Sequence, residues 1–368
     1  MNSVTTAALR AALDEFQDPN LRLSWGESKA VESLELDGAS VRIRASVGYP
    51  SGGYAHELAQ LLTKHLAAAP GAPGSGLSVD LQLRSRILPH AVQRGLTPLP
   101  NIANIVAVAS GKGGVGKSTV AANLALAWAA QGARVGLLDA DIYGPSQPLM
   151  LGLSGQKPTS PDGKRIKPLS NHGVVAMSIG FLVDVEQPMI WRGPMVTSAL
   201  NQLLSDTDWG ELDYLVIDMP PGTGDIQLTL SQRVPVAGAV IVTTPQDIAL
   251  ADARKGLKMF EKVNVTVLGI VENMSVHVCS QCGHAEHIFG SGGGARMAAQ
   301  YGVQLLGELP LDAHIRDEAD NGRPTVVAAP ESARAAAYFA MARRTAGELA
   351  RRGRDRSSLF PKIVIENT

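Results

Sequence analysis

Beyond residue 104 the chain alternates short apolar, β-branched runs with longer stretches whose apolar residues recur at helical spacing. The runs at 105–109, 135–138, 174–179, 215–217, 239–242 and 265–271 predict strands buried on both faces. Strand and helix in that order predict an α/β fold, a mostly parallel, doubly wound sheet with its ligand at the C-terminal strand ends. Ahead of it the pattern changes. Residues 31–36 and 40–47 alternate with period two, with Asp37-Gly38 as a hairpin turn between them. Residues 5–16, with Leu9, Ala12, Leu13 and Phe16 on one face, and 57–69 predict helices; 77–83 predict a further strand. Residues 1–90 therefore read as a small α+β domain, and 91–104, with Pro98 and Pro100, as a linker. Residues 105–368 read as the main α/β domain. A helix predicted over 331–352 carries Ala335, Phe339, Ala342, Ala346 and Leu349 on one stripe. Its Arg343, Arg344, Arg351 and Arg352 are expected on a solvated back face.

The loop after the strand at 105–109 turns the reading from fold to chemistry. Gly111, Lys112, Gly113, Gly114, Val115, Gly116, Lys117, Ser118 and Thr119 contain the pattern G-x-x-x-x-G-K-[ST] between a predicted strand and a predicted helix. Glycines let successive N–H groups point inward, and the helix that follows aims its positive end at the same place. Lys117 would meet the β- and γ-phosphates of a nucleoside triphosphate and the Ser118 hydroxyl would ligate Mg²⁺, so the fold class is that of a P-loop NTPase. Leu215-Val216-Ile217-Asp218 has the Walker B form, with Asp218 holding Mg²⁺ through water. The Pro- and Gly-rich stretch 219–225 reads as a switch loop. Asp139-Ala140-Asp141 ends another strand and faces the ligand crevice. One acid can orient the attacking water while the other supports the metal shell.

The second lysine gives K-G-G-V-G-K-S, which resembles the deviant Walker A group of ATPases, including the nitrogenase iron protein and the chromosome-partitioning and division-site ATPases. The resemblance implies a Mg²⁺-dependent ATP hydrolase that closes as a homodimer around two ATP molecules. Lys112 would then reach the partner's nucleotide and act with Lys117 and Asp141 in catalysis. It also implies Asp141 as the acid on the water, Asp139 as metal support, and Asn273 as the residue that recognises the base.

Charge excludes some classes. With 33 Lys+Arg against 34 Asp+Glu the formal net charge is -1, which gives no electrostatic case for nucleic acid or an anionic membrane. No long apolar window or signal-like N-terminus stands out, so a cytoplasmic protein is expected. The 2 cysteines, Cys279 and Cys282, exclude a disulfide framework and leave a C-x-x-C in a polar loop. Three chemistries fit that spacing. A redox pair normally opens a helix, which Gly283 disfavours. A zinc site needs four ligands and so His277, His284, His287 or a second subunit. A 4Fe–4S cluster can take both thiolates from each of two subunits.

Further stretches narrow the family: Trp191-Arg192-Gly193-Pro194-Met195-Val196, Asp218-Met219-Pro220-Pro221-Gly222-Thr223-Gly224-Asp225, Glu272-Asn273-Met274-Ser275 leading into the C-x-x-C, and Phe360-Pro361-Lys362-Ile363. Together they resemble the Mrp/ApbC iron–sulfur cluster carrier ATPases. That resemblance implies a 4Fe–4S cluster held by Cys279 and Cys282 at a homodimer interface and transferred to apo iron–sulfur proteins. Cluster scaffold proteins would be further partners, with no nucleic acid or membrane among them. The N-terminal part resembles the small MIP18-like (DUF59) domain. Relatives often carry a cysteine near the position of Gly48-Tyr49-Pro50-Ser51, which has none here. A docking, regulatory or structural role is expected for it instead of metal binding. The alternative reading is a metal-free partitioning or localisation ATPase acting as a spatial switch.

Overall fold

The computed structural model describes residues 6–68, 77–182 and 193–352, the side chains of 193 and 194 excepted. Trp191-Arg192 and Phe360-Pro361-Lys362-Ile363 lie outside the described residues. The N-terminal part builds α1 (Thr6–Glu15), one-turn α2 (Trp25–Ser28), β1 (Val31–Asp37), β2 (Ser40–Val47), α3 (Ala55–Ala67) and β3 (Ser78–Ser85). Antiparallel β1 and β2 meet at the turn holding Gly38 (φ 60°), and β3 adds in parallel to β2. The period-two pattern puts Val41, Ile43, Ala45 and Val47 into a core shared with Leu9 and Leu13 of α1 and Leu58, Leu62 and Leu66 of α3.

The rest of the chain runs β4 (Ile105–Ser110), α4 (Lys117–Ala130), β5 (Val135–Asp139), one-turn α5 (Gln147–Met150), β6 (Leu169–Asn171), β7 (Val174–Ser178), α6 (Gly193–Ser205) and β8 (Tyr214–Asp218). It continues through α7 (Asp225–Arg233), β9 (Gly238–Thr243), α8 (Asp247–Lys262), β10 (Val267–Glu272), β11 (His277–Val278), β12 (Ala285–Glu286), α9 (Gly293–Tyr301) and β13 (Gln304–Glu308). Helices α10 (Ala313–Asp320), α11 (Thr325–Ala328) and α12 (Ala333–Ala350) complete it. The sheet order is β13-β10-β9-β4-β8-β5-β7-β6, with every neighbour parallel except the β6–β7 pair. All residues of β4, β5, β8, β9 and β10 are buried, which is why these strands read as unbroken apolar runs. The two edge strands escape that signal: β6 is Leu-Ser-Asn and β13 is Gln-Leu-Leu-Gly-Glu, each half-covered and partly polar. Among the described residues no helix is long and apolar enough to cross a membrane.

Helix α4 is buried on every side from Val120 to Trp128, because the sheet lies on one face and α11 and α12 on the other. The Trp128 Nε1–H donates to the Ala342 carbonyl of α12 at 2.8 Å. The stretch expected as a linker is pinned down. Gln93 donates to the Ser231 and Val234 carbonyls (2.9 and 3.2 Å) and accepts from the Val236 N–H (2.9 Å), while Asn104 takes the His90 N–H at 3.1 Å.

The N-terminal part sits on α12, and this changes the reading of one arginine. Arg344 and Arg351 are exposed as expected; Arg352 is only half-exposed and donates to the Val267 carbonyl at 3.3 Å. Arg343 is 9% exposed, its guanidinium 4.0 Å from the Tyr54 ring centroid and 3.7 Å from the Glu57 carboxylate. Arg343 flanks the stripe, one residue after Ala342, and helical spacing alone does not announce a cover on that flank; the neighbouring unit supplies it. At Gly347 the approach is tighter still, since a Cβ there would lie 2.1 Å from the Asn20 carbonyl oxygen. Gly347→Ala should therefore lower the melting temperature, although alanine in an exposed helix interior would gain about 1 kcal/mol. A melting temperature that stays put or rises would show that this seat is not occupied in solution.

Candidate functional site

The site forms where β4, β8, β5 and β10 end on the same edge of the sheet. The P-loop runs from β4 into α4, and Gly116, at φ 81°, makes the left-handed turn that starts the helix. A side chain there would also collide with Asn273, whose Nδ2 would lie 2.2 Å from the added Cβ. That amide donates to the Val115 carbonyl at 2.9 Å, so Asn273, buried at the end of β10, braces the loop from behind. Lys112 lies half-buried at the loop's start, its carbonyl accepting the Ser110 hydroxyl at 2.8 Å. Among the described residues its ammonium pairs with none of the site's carboxylates.

Lys117 is turned inward. Its Nζ forms a buried ion pair with Asp218 and a 3.1 Å hydrogen bond to the Ser118 hydroxyl. The pair's side chains are 6% and 0% exposed. Asp218 also accepts from Gln147 Nε2 at 2.9 Å. In register beside it on β5, Asp139 is fully buried and takes hydrogen bonds from the Asp141 N–H, the Gln147 N–H and the Ser178 hydroxyl, each at 3.1 Å. Burial, reinforced by the neighbouring Asp218 charge, pushes the Asp139 carboxyl up to about 7. Asp141 stands further out, half-buried, accepting the Gly144 N–H at 3.3 Å; burial raises its pKa while Lys117 pulls it down. The Ser118 hydroxyl and the Asp218 and Asp139 carboxylates are hard oxygen donors of the kind Mg²⁺ takes, and Lys117 already places a cation among them.

The cysteine loop leaves the same edge, a few residues past Asn273. Strands β11 and β12 pair as a small antiparallel hairpin with Cys279 and Cys282 at its tip. The Cys279 N–H donates to the His284 carbonyl and the Gly283 N–H to the Cys279 carbonyl, both at 2.9 Å. Cys279 is half-exposed and Cys282 exposed. Backbone N–H groups of Gln281 and Cys282 favour the Cys279 thiolate and lower its pKa. His277 and His287 each use Nδ1 on a backbone carbonyl, Leu311 at 3.0 Å and Ser275 at 2.6 Å, anchoring the hairpin's base. Among the described residues no group of three or more His, Cys, Asp or Glu is arranged to hold a metal. One chain thus presents two cysteine sulfurs at the hairpin tip.

A family profile described as NUBPL iron-transfer P-loop NTPase matches residues 101–346. The chain belongs to this family. A second profile, iron–sulfur cluster assembly protein, matches residues 6–75 of this iron-transfer NTPase. An iron–sulfur cluster carrier protein of Pseudomonas fragi is 62% identical over 72% of the chain and 93% of its own length. One of Haemophilus influenzae is 51% identical over 96% of the chain and 93% of its own length. Among solved structures, a nucleotide-binding protein of Archaeoglobus fulgidus in complex with ADP is 40% identical, with a TM-score of 0.57 over 65% of this chain and 91% of that one.

Two further polar residues of the iron-transfer NTPase's site are given no role by the sequence: Gln147 lies in no motif, and Glu272 enters only within the family stretch 272–275. Gln147 follows Pro145-Ser146 and touches both Asp218 and the Ser118 carbonyl, the latter at 3.0 Å. Glu272, buried at the end of β10, accepts the Gly294 N–H at the start of α9. Beside that stretch, a charged residue closing an apolar strand is a local hint for Glu272.

Proposed function

We propose that this chain is a cytoplasmic, ATP-hydrolysing carrier that holds a 4Fe–4S cluster between the Cys279/Cys282 pairs of two subunits and delivers it to apo iron–sulfur proteins. The observation that carries this reading is the hairpin itself. It offers two accessible cysteine sulfurs from one chain, half of the four thiolate ligands a 4Fe–4S cluster takes, on the strand end that also braces the P-loop. Val278 and Ile288, beside the cysteines, are 53% and 50% exposed, and Ile248, at the start of α8 on the same sheet edge, is 69% exposed. Such apolar side chains suit a surface that a second copy covers.

Within each subunit, Gly111 to Thr119 cradle the phosphates, Lys117 and Ser118 face the β- and γ-phosphates and Mg²⁺, and Asp218 supports the metal through water. Asp139, enclosed behind Asp218, acts as outer support. Asp141, nearer the surface, orients the attacking water, and Lys112 reaches the partner's nucleotide. Asn273 spends its amide N–H on the loop and keeps its oxygen for the base. Mg²⁺ when bound neutralises phosphate charge. The expected partners are a second copy, cluster scaffolds and apo iron–sulfur proteins, and neither nucleic acid nor membrane. The N-terminal unit is assigned to docking or regulation.

Reconstitution without oxygen, using iron and sulfide, tests the cargo. Four iron and four sulfide per two chains, in a particle of dimer mass, is the expected result. One metal per chain without sulfide would replace the cluster by zinc, and a cluster retained by a monomer would remove the shared site. The lysine assignment has its own test: Lys112→Ala should spare ATP binding and slow hydrolysis. Unchanged hydrolysis would refute its role across the dimer.

A further inference from the structure

Gln147 is 1% exposed, yet it belongs to no nucleotide-binding motif. Its amide Nε2 donates to the Ser118 carbonyl (3.0 Å) and to Asp218 Oδ2 (2.9 Å), and its backbone N–H donates to Asp139 Oδ2 (3.1 Å). One residue thus connects the start of α4, the Walker B acid and the acid of β5. Both side-chain partners are acceptors only, so the amide cannot be flipped: NH₂ faces them and Oε1 faces away. That oxygen is buried and has no hydrogen-bond partner among the described residues, and the hydroxyl of adjacent Ser146 is in the same condition. An amide oxygen buried without a donor opposes folding. The described residues offer that oxygen no donor, whereas water held on a divalent cation near Asp218 would be a strong one.

Resting on the Mg-ATP reading of this site, we propose that Gln147 is a positioning residue for the nucleotide's Mg²⁺. Nε2 fixes the rotation of the Asp218 carboxylate against Ser118, and Oε1 accepts a hydrogen bond from the metal's hydration water. The side chain touches neither phosphate nor metal directly. Its loss should therefore be felt as weaker use of Mg²⁺ and not as weaker recognition of the nucleotide.

The test is ATP binding by the full-length protein, titrated with Mg²⁺ and in its absence with chelator, comparing wild type with Gln147→Leu and, as a second apolar replacement, Gln147→Met. The half-saturating Mg²⁺ concentration should rise about tenfold or more, the scale of losses at outer-shell ligands. Affinity for ATP without Mg²⁺ should stay within about twofold of wild type, and excess Mg²⁺ should restore hydrolysis. An unchanged Mg²⁺ requirement in both folded variants would overturn the inference, as would an equal loss of Mg²⁺-free affinity, which marks a merely structural side chain. If wild type itself gains nothing from Mg²⁺, the Mg-ATP reading of the site fails first, and Gln147's role with it.

Discussion

Lys117→Ala is expected to cut ATP affinity about a hundredfold, out of the working range, and also to weaken the protein in the absence of any nucleotide. Losing a charge-assisted contact to the phosphates costs about 3 kcal/mol, roughly a hundredfold in affinity. The second effect comes from the fold. Lys117 and Asp218 form an ion pair whose side chains are 6% and 0% exposed, and removing the lysine leaves the aspartate as an uncompensated buried charge. Breaking one side of such a pair costs about 3–5 kcal/mol, whereas replacing both partners by neutral groups is often tolerated. Thermal or denaturant unfolding in chelator should therefore rank Lys117→Ala well below wild type. Lys117→Met combined with Asp218→Asn should recover much of the stability and none of the binding. Wild-type stability in the single variant would mean that the lysine does not rest on Asp218 in solution.

Cys282→Ala should have the opposite character: total loss of cargo with no loss of fold. The residue is exposed at the hairpin tip, where substitutions usually shift stability by no more than about 0.5 kcal/mol. Two such chains would offer two thiolates in place of four, too few for a cubane cluster. Iron and sulfide after anaerobic reconstitution should fall to background while ATP affinity and melting temperature stay at wild-type values. Iron and sulfide retained at wild-type stoichiometry would remove Cys282 from the ligand set.

The two variants mark what the chain discloses before it folds. The P-loop and the cysteine pair are legible because their chemistry is local: the backbone of nine consecutive residues makes one, and a four-residue spacing makes the other. The wholly buried strands are legible for a related reason, since burial on both faces leaves an unbroken apolar run. The edge strands β6 and β13 are not, because a half-covered edge tolerates Ser, Asn, Gln and Glu. Gln147 on Asp218 and Asn273 on Val115 join residues 71 and 158 positions apart, and neither contact leaves any periodicity to detect. Arg343 fails differently: its position on the helix predicts solvent correctly until the N-terminal unit covers it.

Helix α4 begins at Lys117, against the Walker B acid, and its cap residue Gln131 accepts the Gly52 N–H of the N-terminal unit at 2.9 Å. Its 14 residues span about 21 Å. From Val120 to Trp128 the helix is buried without a break. The phosphate-binding turn and the seat of the N-terminal unit are therefore the two ends of one packed element, so the small domain rests on the same helix that opens the nucleotide site.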